Sequence, residues 1–179
     1  MWEHYIKQSY RNRTTILSAN GKLNLIMPLE KSQGCKTLVK DVKIAYTDRW
    51  NAEHWNAIVS AYNSSPFFEY YRDDLERFFT EKFKFLIDYN AELLNCILDL
   101  LQIKCECSFT TDFVAPNTTE DDFRYSISPK ITNENVTFPT YTQVFENKFD
   151  FVPNLSILDL LCNIGPESKE YLKNVAFNQ

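Results

Sequence analysis

The chain has 179 residues, 44% of them hydrophobic and 15% aromatic, which is enough for one domain with its own core. With only three glycines it holds no GxGxxG and no P-loop run, which argues against a glycine-rich phosphate cradle of the Rossmann or P-loop kind. The formal net charge of −5 disfavours general nucleic-acid binding, but it is uneven: residues 1–49 hold nine Lys/Arg against four Asp/Glu, and residues 50–179 hold ten against twenty.

In chain order, the run KQSYRNR comes first. Read as a strand, it puts Lys7, Arg11 and Arg13 on one face and Tyr10 on the other. Three cations on one face repel one another unless an anion neutralises them. A ligand phosphate or carboxylate would do so, and so would protein acids such as Glu3, Asp121 and Asp122. Arg13–Ala19 and Lys22–Leu29 read as strands joined at Asn20-Gly21, a strong hairpin signal. A looser loop follows at Lys31–Lys36. Leu38, Val42 and Ile44 then alternate along Thr37–Tyr46, which suggests a further strand.

The middle of the chain reads as helical. Thr47 or Asp48 is placed to cap a helix over Trp50–Asn63, with Trp50, His54, Ala57, Ile58 and Ala61 on one face. Ser64-Ser65-Pro66 stops it, and Pro66 suits the first turn of a helix over Phe67–Phe79. Asp88–Leu101 carries an apolar stripe of Leu93, Leu94, Ile97, Leu98 and Leu101, which reads as core. Lys104–Thr111 suggests a strand. Residues 115–140 are polar, with three prolines, and a loop of this length often covers a ligand. Asn154 or Ser156 caps a helix over Ile157–Asn163, Gly165-Pro166 ends it, and a short acidic helix follows. The expected fold is α/β (α+β): an N-terminal hairpin and strands, central helices, a late strand and C-terminal helices, in a single domain over residues 1–179.

The five cysteines are odd in number and form no CxxC pair, so they suggest neither a disulfide framework nor a zinc site. Cys105 and Cys107 would share one face of the late strand, and Cys162 is expected to pack. Reduced thiols, no signal peptide and no apolar run of transmembrane length point to a cytoplasmic protein with no membrane span. No cofactor or metal is expected.

Histidine is the side chain suited to proton transfer near neutral pH, and only His4 and His54 occur. His54 reads either as a catalytic base or as a structural residue on an aromatic helix. The paired acids Asp73-Asp74 read as a solvated face. No serine-nucleophile elbow or HExxH run is present.

The runs WEHYIKQSYRNR, NGKLNLIMPL, DVKIAYTDRWNAEHWNAIVSAYNSSPFFEYYRDDLE, YTQVF and LSILDLLCNIGPES, in this order, resemble the bacterial WbqC-like family over nearly the whole chain. Lys7, Gln8, Tyr10, Arg11, Asn12 and Arg13 match its first motif. Trp50, His54, Tyr62, Ser65, Pro66, Phe67, Tyr70 and Tyr71 match its second, and Asn154, Ser156, Asp159, Gly165 and Pro166 its last. The resemblance implies a place in surface-polysaccharide or O-antigen gene sets and transfer of glycine or another small acyl group onto a sugar. It also implies that part of the family's N-terminal segment is missing here, which would leave a sheet edge open to association with a second copy.

Two functions follow as expectations. In the first, an acyl or aminoacyl transferase acts on an amino-sugar nucleotide. His54 is the base, Lys7, Arg11 and Arg13 hold phosphate, and Gln8, Tyr10, Asn12, Trp50, Tyr62 and Tyr70 complete the substrate site. In the second, the same residues bind a nucleotide sugar or a partner of the glycan assembly machinery without chemistry.

Overall fold

A computed structural model describes residues 2–31, 37–116, 122–124, 127–129 and 136–177. The Lys31–Lys36 loop beyond its first residue, Cys35, Asp121 and much of the 115–140 segment lie outside the described residues. The fold is mixed α/β. Its first regular unit is an antiparallel hairpin of β1 (Arg13–Ser18) and β2 (Gly21–Ile26), in register from Arg13 opposite Ile26 to Ser18 opposite Gly21. The two-residue turn is Ala19-Asn20, and Gly21 opens β2 at φ +102°, a conformation few other residues tolerate. Ile16 and Leu17 are both buried although successive strand residues face opposite ways, so β1 is covered on both faces.

Three helices build the central layer: α1 (Trp50–Tyr62), α2 (Phe68–Thr80) and α3 (Leu86–Leu100). Their buried residues recur at helical spacing, as the apolar periodicity predicts: Trp50, Ile58 and Ala61 on α1, Phe68, Leu75 and Phe78 on α2, Tyr89 and Ile97 on α3. The predicted stripe on α3 is only partly core. Ile97 and Leu101 are buried, while Leu94 is 48% exposed. Neither Thr47 nor Asp48 caps α1, whose N-cap residue is Arg49 with no side-chain bond. Pro66 lies just before α2 rather than in its first turn.

After the described part of the long loop come the one-turn α4 (Glu146–Phe149), α5 (Ile157–Ile164) and α6 (Ser168–Asn174). The Ser156 hydroxyl caps α5 by accepting from the backbone N–H of Leu158. Leu158 through Asn163 are all buried, so this helix lies inside the molecule rather than on it. A small second sheet pairs β3 (Val136–Thr137) with β4 (Ala176–Phe177), antiparallel. One apolar cluster joins Ile16 and Leu25 of the hairpin to α1, α2 and α5. A second joins Met27, Val42 and Ile44 to Trp50, Phe78 and Tyr89, and the two share Phe79 and Leu93.

Three expected strands are not strands. Thr37–Tyr46 is a 3-10 turn at Val39–Asp41 followed by extended backbone that bonds to two different neighbours. Ile44 N–H donates to Lys84 O and Ala45 N–H to Pro28 O, so its polar groups are satisfied without a continuous ladder. Lys104–Thr111 is exposed and forms no regular element, so Cys105 and Cys107 share no strand face. The KQSYRNR run contains a 3-10 turn at Tyr10–Asn12 preceded by Gln8 at φ +58°, which breaks the alternation that would put its cations on one face. No described helix is long and apolar enough to cross a membrane.

Candidate functional site

The Tyr10–Asn12 turn is pinned from both sides. Asn90 of α3 donates through Nδ2 to the carbonyl of Arg11 at 2.9 Å. Asn12 is clamped to Met27 twice: the Met27 N–H donates to Asn12 O, and Asn12 Nδ2 donates to Met27 O, each at 2.9 Å. Two side-chain amides therefore hold a turn that has little regular structure of its own. Arg11 pairs with Glu3 at 2.5 Å, so one of the three N-terminal cations is neutralised by a protein acid. Among the described residues no carboxylate pairs with Lys7 or Arg13. Asp122, another expected partner, pairs with Arg124.

This turn forms one wall of a chamber of about 310 Å³. Tyr10, Arg11, Asn12 and Arg13 line it on one side, and Trp50, His54 and Ile58 of α1 line it on another. Leu75 and Phe79 of α2, Tyr89 and Leu93 of α3, and Ile157 and Leu158 of α5 supply the apolar remainder. Six of the ten expected site residues, Tyr10–Arg13, Trp50 and His54, thus meet at one cavity, although the two groups are separated by some forty positions along the chain.

His54 follows Trp50 by one helical turn, and the two rings meet edge to face with centroids 5.3 Å apart. Burial holds the imidazole below the usual histidine range, opposed by the nearby Glu53 carboxylate. The ring is consequently neutral near pH 7 and able to accept a proton. Among the described residues no group is hydrogen-bonded to it. Burial also holds the Tyr89 phenol far above its usual range, so that it stays protonated.

Lys7 and Gln8 do not line this chamber. They line a larger groove of about 1020 Å³ on the other side of the same turn, together with Tyr5, Pro28, Leu29 and Lys43. Asn12, Arg13 and Met27 belong to both cavities and form the partition between them. Tyr62 and Tyr70 line neither. Tyr62 is fully buried in the core, and Tyr70 is 76% exposed on α2, because positions 62 and 70 of this pair of helices face the interior and the solvent respectively.

Sequence reasoning matched Asp159 and the YTQVF run to the family but gave no role to the buried polar cluster they form beside the chamber. Asp159 of α5 is 1% exposed, next to the lining residues Ile157 and Leu158. Its carboxylate accepts from Tyr141 Oη at 2.6 Å and from Gln143 Nε2 at 2.8 Å. Gln143, equally buried, also spans Val152: its Oε1 accepts from the Val152 N–H and its Nε2 donates to Val152 O. Burial raises the Asp159 pKa, against the hydrogen bonds from Tyr141 and Gln143 that lower it. Among the described residues the Tyr62 hydroxyl meets no acceptor or donor in good hydrogen-bond geometry, yet it lies close enough to Asp159 that burial and that carboxylate together suppress its ionisation. Cys162 packs as expected, fully buried, with burial pushing its thiol up to about 12. The signal was a lone acid inside an otherwise apolar helix, LSILDLLCNI.

Fold and site together describe a small mixed α/β protein with a histidine-bearing chamber beside a cationic groove. The chain belongs to the WbqC-like protein family, whose model matches residues 3–137 and 123–171. It is similar to the uncharacterized protein Rv1507c of Mycobacterium tuberculosis (strain ATCC 25618 / H37Rv), at 25% identity over 194 residues, covering 94% of this chain and 84% of that protein. No solved structure matches it.

Proposed function

We propose that the chain is an acyl or aminoacyl transferase, of the glycine-transferring kind, acting on an amino-sugar nucleotide in surface-polysaccharide biosynthesis in the cytoplasm. The observation that carries this reading is the meeting of a neutral, half-buried His54 with Arg13 on the walls of one small chamber. In the reaction, the amine nitrogen of the sugar attacks the carbonyl carbon of an activated acyl donor. The new C–N bond forms, the bond from that carbon to the donor's leaving atom breaks, and one amine proton passes to His54. His54 then returns the proton to the departing group, so the enzyme ends as it began. Arg13, which no carboxylate among the described residues neutralises, offsets the negative charge that develops on the acyl oxygen.

A second reading is favoured by one feature. A catalytic base is usually oriented by a third group, and His54 has no such hydrogen bond among the described residues. In this reading the cavities bind a nucleotide sugar without chemistry. A thermal-shift screen of nucleotide sugars, acyl-CoAs and aminoacyl donors, followed by a transfer assay on any pair that binds, separates the two. Transfer lost in His54→Gln supports the enzyme. Binding of a nucleotide sugar with no transfer from any donor supports the binding module and overturns the transferase.

A further inference from the structure

We infer that the groove beside the chamber is a subsite for a diphosphate-type anion, and that Arg13 and Asn12 join the two cavities into a single site for one bipartite ligand. The inference rests on the reading of the His54 chamber given above and says where the charged part of its ligand sits.

Three observations carry it. The first is charge. Lys7, Arg13, Lys31 and Lys43 line the groove against the two carboxylates of Glu30 and Asp41. Among the described residues none of these four cations is in an ion pair. Cations gathered around a concave surface focus a field that favours an anion.

The second is a matched pair of orphaned atoms in the partition. Arg13 Nε is a buried donor and Asn12 Oδ1 a buried acceptor, and neither has a hydrogen-bond partner among the described residues. Buried polar atoms are nearly always hydrogen-bonded, so two at one place call for a cause. Asn12 is not simply misplaced, because its Nδ2 is committed to Met27 O at 2.9 Å. Both atoms are closed off from solvent as the side chains stand, so a small shift of Arg13 and Asn12 lets a phosphate oxygen accept from Arg13 Nε and an adjoining hydroxyl or amine of the same ligand donate to Asn12 Oδ1.

The third is size and polarity. The chamber, at about 310 Å³, is at the small end for a ligand site and is walled chiefly by apolar side chains. A phosphate placed there would lose its hydration to a largely apolar surface. The groove, at about 1020 Å³, offers both the room and the cations. The diphosphate therefore lies in the groove, and the reacting end of the ligand passes the Arg13 partition towards His54.

The test uses inorganic pyrophosphate as the probe, titrated calorimetrically into the full chain. Lys7 and Lys43 are exposed, so Lys7→Gln and Lys43→Gln keep the fold. The expected result is saturable binding, weakened about tenfold by the two substitutions together and reduced by added salt. Lys169→Gln with Lys173→Gln, both on α6 and outside the groove lining, removes the same charge, serves as the control and leaves binding unchanged. No binding of pyrophosphate, or equal binding by the double variant and the control, overturns the inference. Pyrophosphate reports on the groove alone, whereas the His54 reading is judged by transfer. The two can therefore fail separately.

Discussion

Replacing Asp159 with leucine removes the centre of the buried polar cluster while keeping a side chain that branches at Cγ, with two methyl groups bulkier than the oxygens they replace. Two donors lose their acceptor: Tyr141 Oη and one N–H of Gln143 Nε2. Gln143 keeps its bonds to Val152, so the loss falls on one phenol and one amide hydrogen. Hydrogen bonds to a charged acceptor contribute about 1.5–3 kcal/mol each, and relief of the carboxylate's own burial offsets part of that. The net expected loss is about 2–4 kcal/mol. With a urea dependence of about 2 kcal/mol per molar for a chain of this size, the unfolding midpoint falls by about 1–2 M. Asp159→Asn should cost less than about 1 kcal/mol, because its carbonyl accepts both bonds and its amide can donate to the orphaned Tyr62 hydroxyl. The wild type and Asp159→Asn should also diverge with pH. Burial raises the Asp159 pKa in the folded state, so the protonation-linked part of its contribution is fully present below the unfolded carboxylate value of about 3.9 and is lost as pH rises through the folded value. A leucine variant as stable as the wild type, or a pH difference of opposite sign, would refute the reasoning.

Three further outcomes are expected. Gly165→Ala places a Cβ 2.5 Å from the Phe67 ring at a φ of +54°, so it should destabilise by about 2–4 kcal/mol in a denaturant titration. Gly21→Ala meets no atom within 4 Å and bears only the cost of its φ of +102°, about 1 kcal/mol, so the two alanines should differ clearly in midpoint. Because burial lowers the His54 pKa, the acid limb of the transfer rate should fall below pH 6.5, about the ordinary histidine value, when kcat/KM is followed against pH.

The elements with local signals were legible in the sequence. Asn20-Gly21 located the hairpin to within one residue, the apolar spacing from Trp50 to Ala61 located α1, and Ser156 with Gly165 bracketed α5. What alternation cannot report is whether a partner strand exists. Leu38, Val42 and Ile44 alternate as in a strand, yet the backbone there divides its hydrogen bonds between Lys84 and Pro28. The left-handed Gln8 gave no warning, since glycine is the usual sign of such a residue. Of the candidate site, the family motifs carried Tyr10–Arg13, Trp50 and His54 to one chamber, while Lys7 and Gln8 went to the neighbouring groove. Tyr62 and Tyr70 went to the core and the surface because an aromatic residue serves equally in either place. The Asp159 cluster was hidden because its partners, Tyr141 and Gln143, come from an irregular segment that no periodicity positions.

The central claim is that His54 moves a proton in the chamber that the Tyr10–Arg13 wall encloses. The most direct measurement is the turnover of His54→Gln at saturating amino-sugar nucleotide and acyl donor, alongside the affinity for each. The account predicts that kcat falls by about 10²–10⁴ while both affinities stay within about threefold of the wild type. A variant that turns over at the wild-type rate contradicts it.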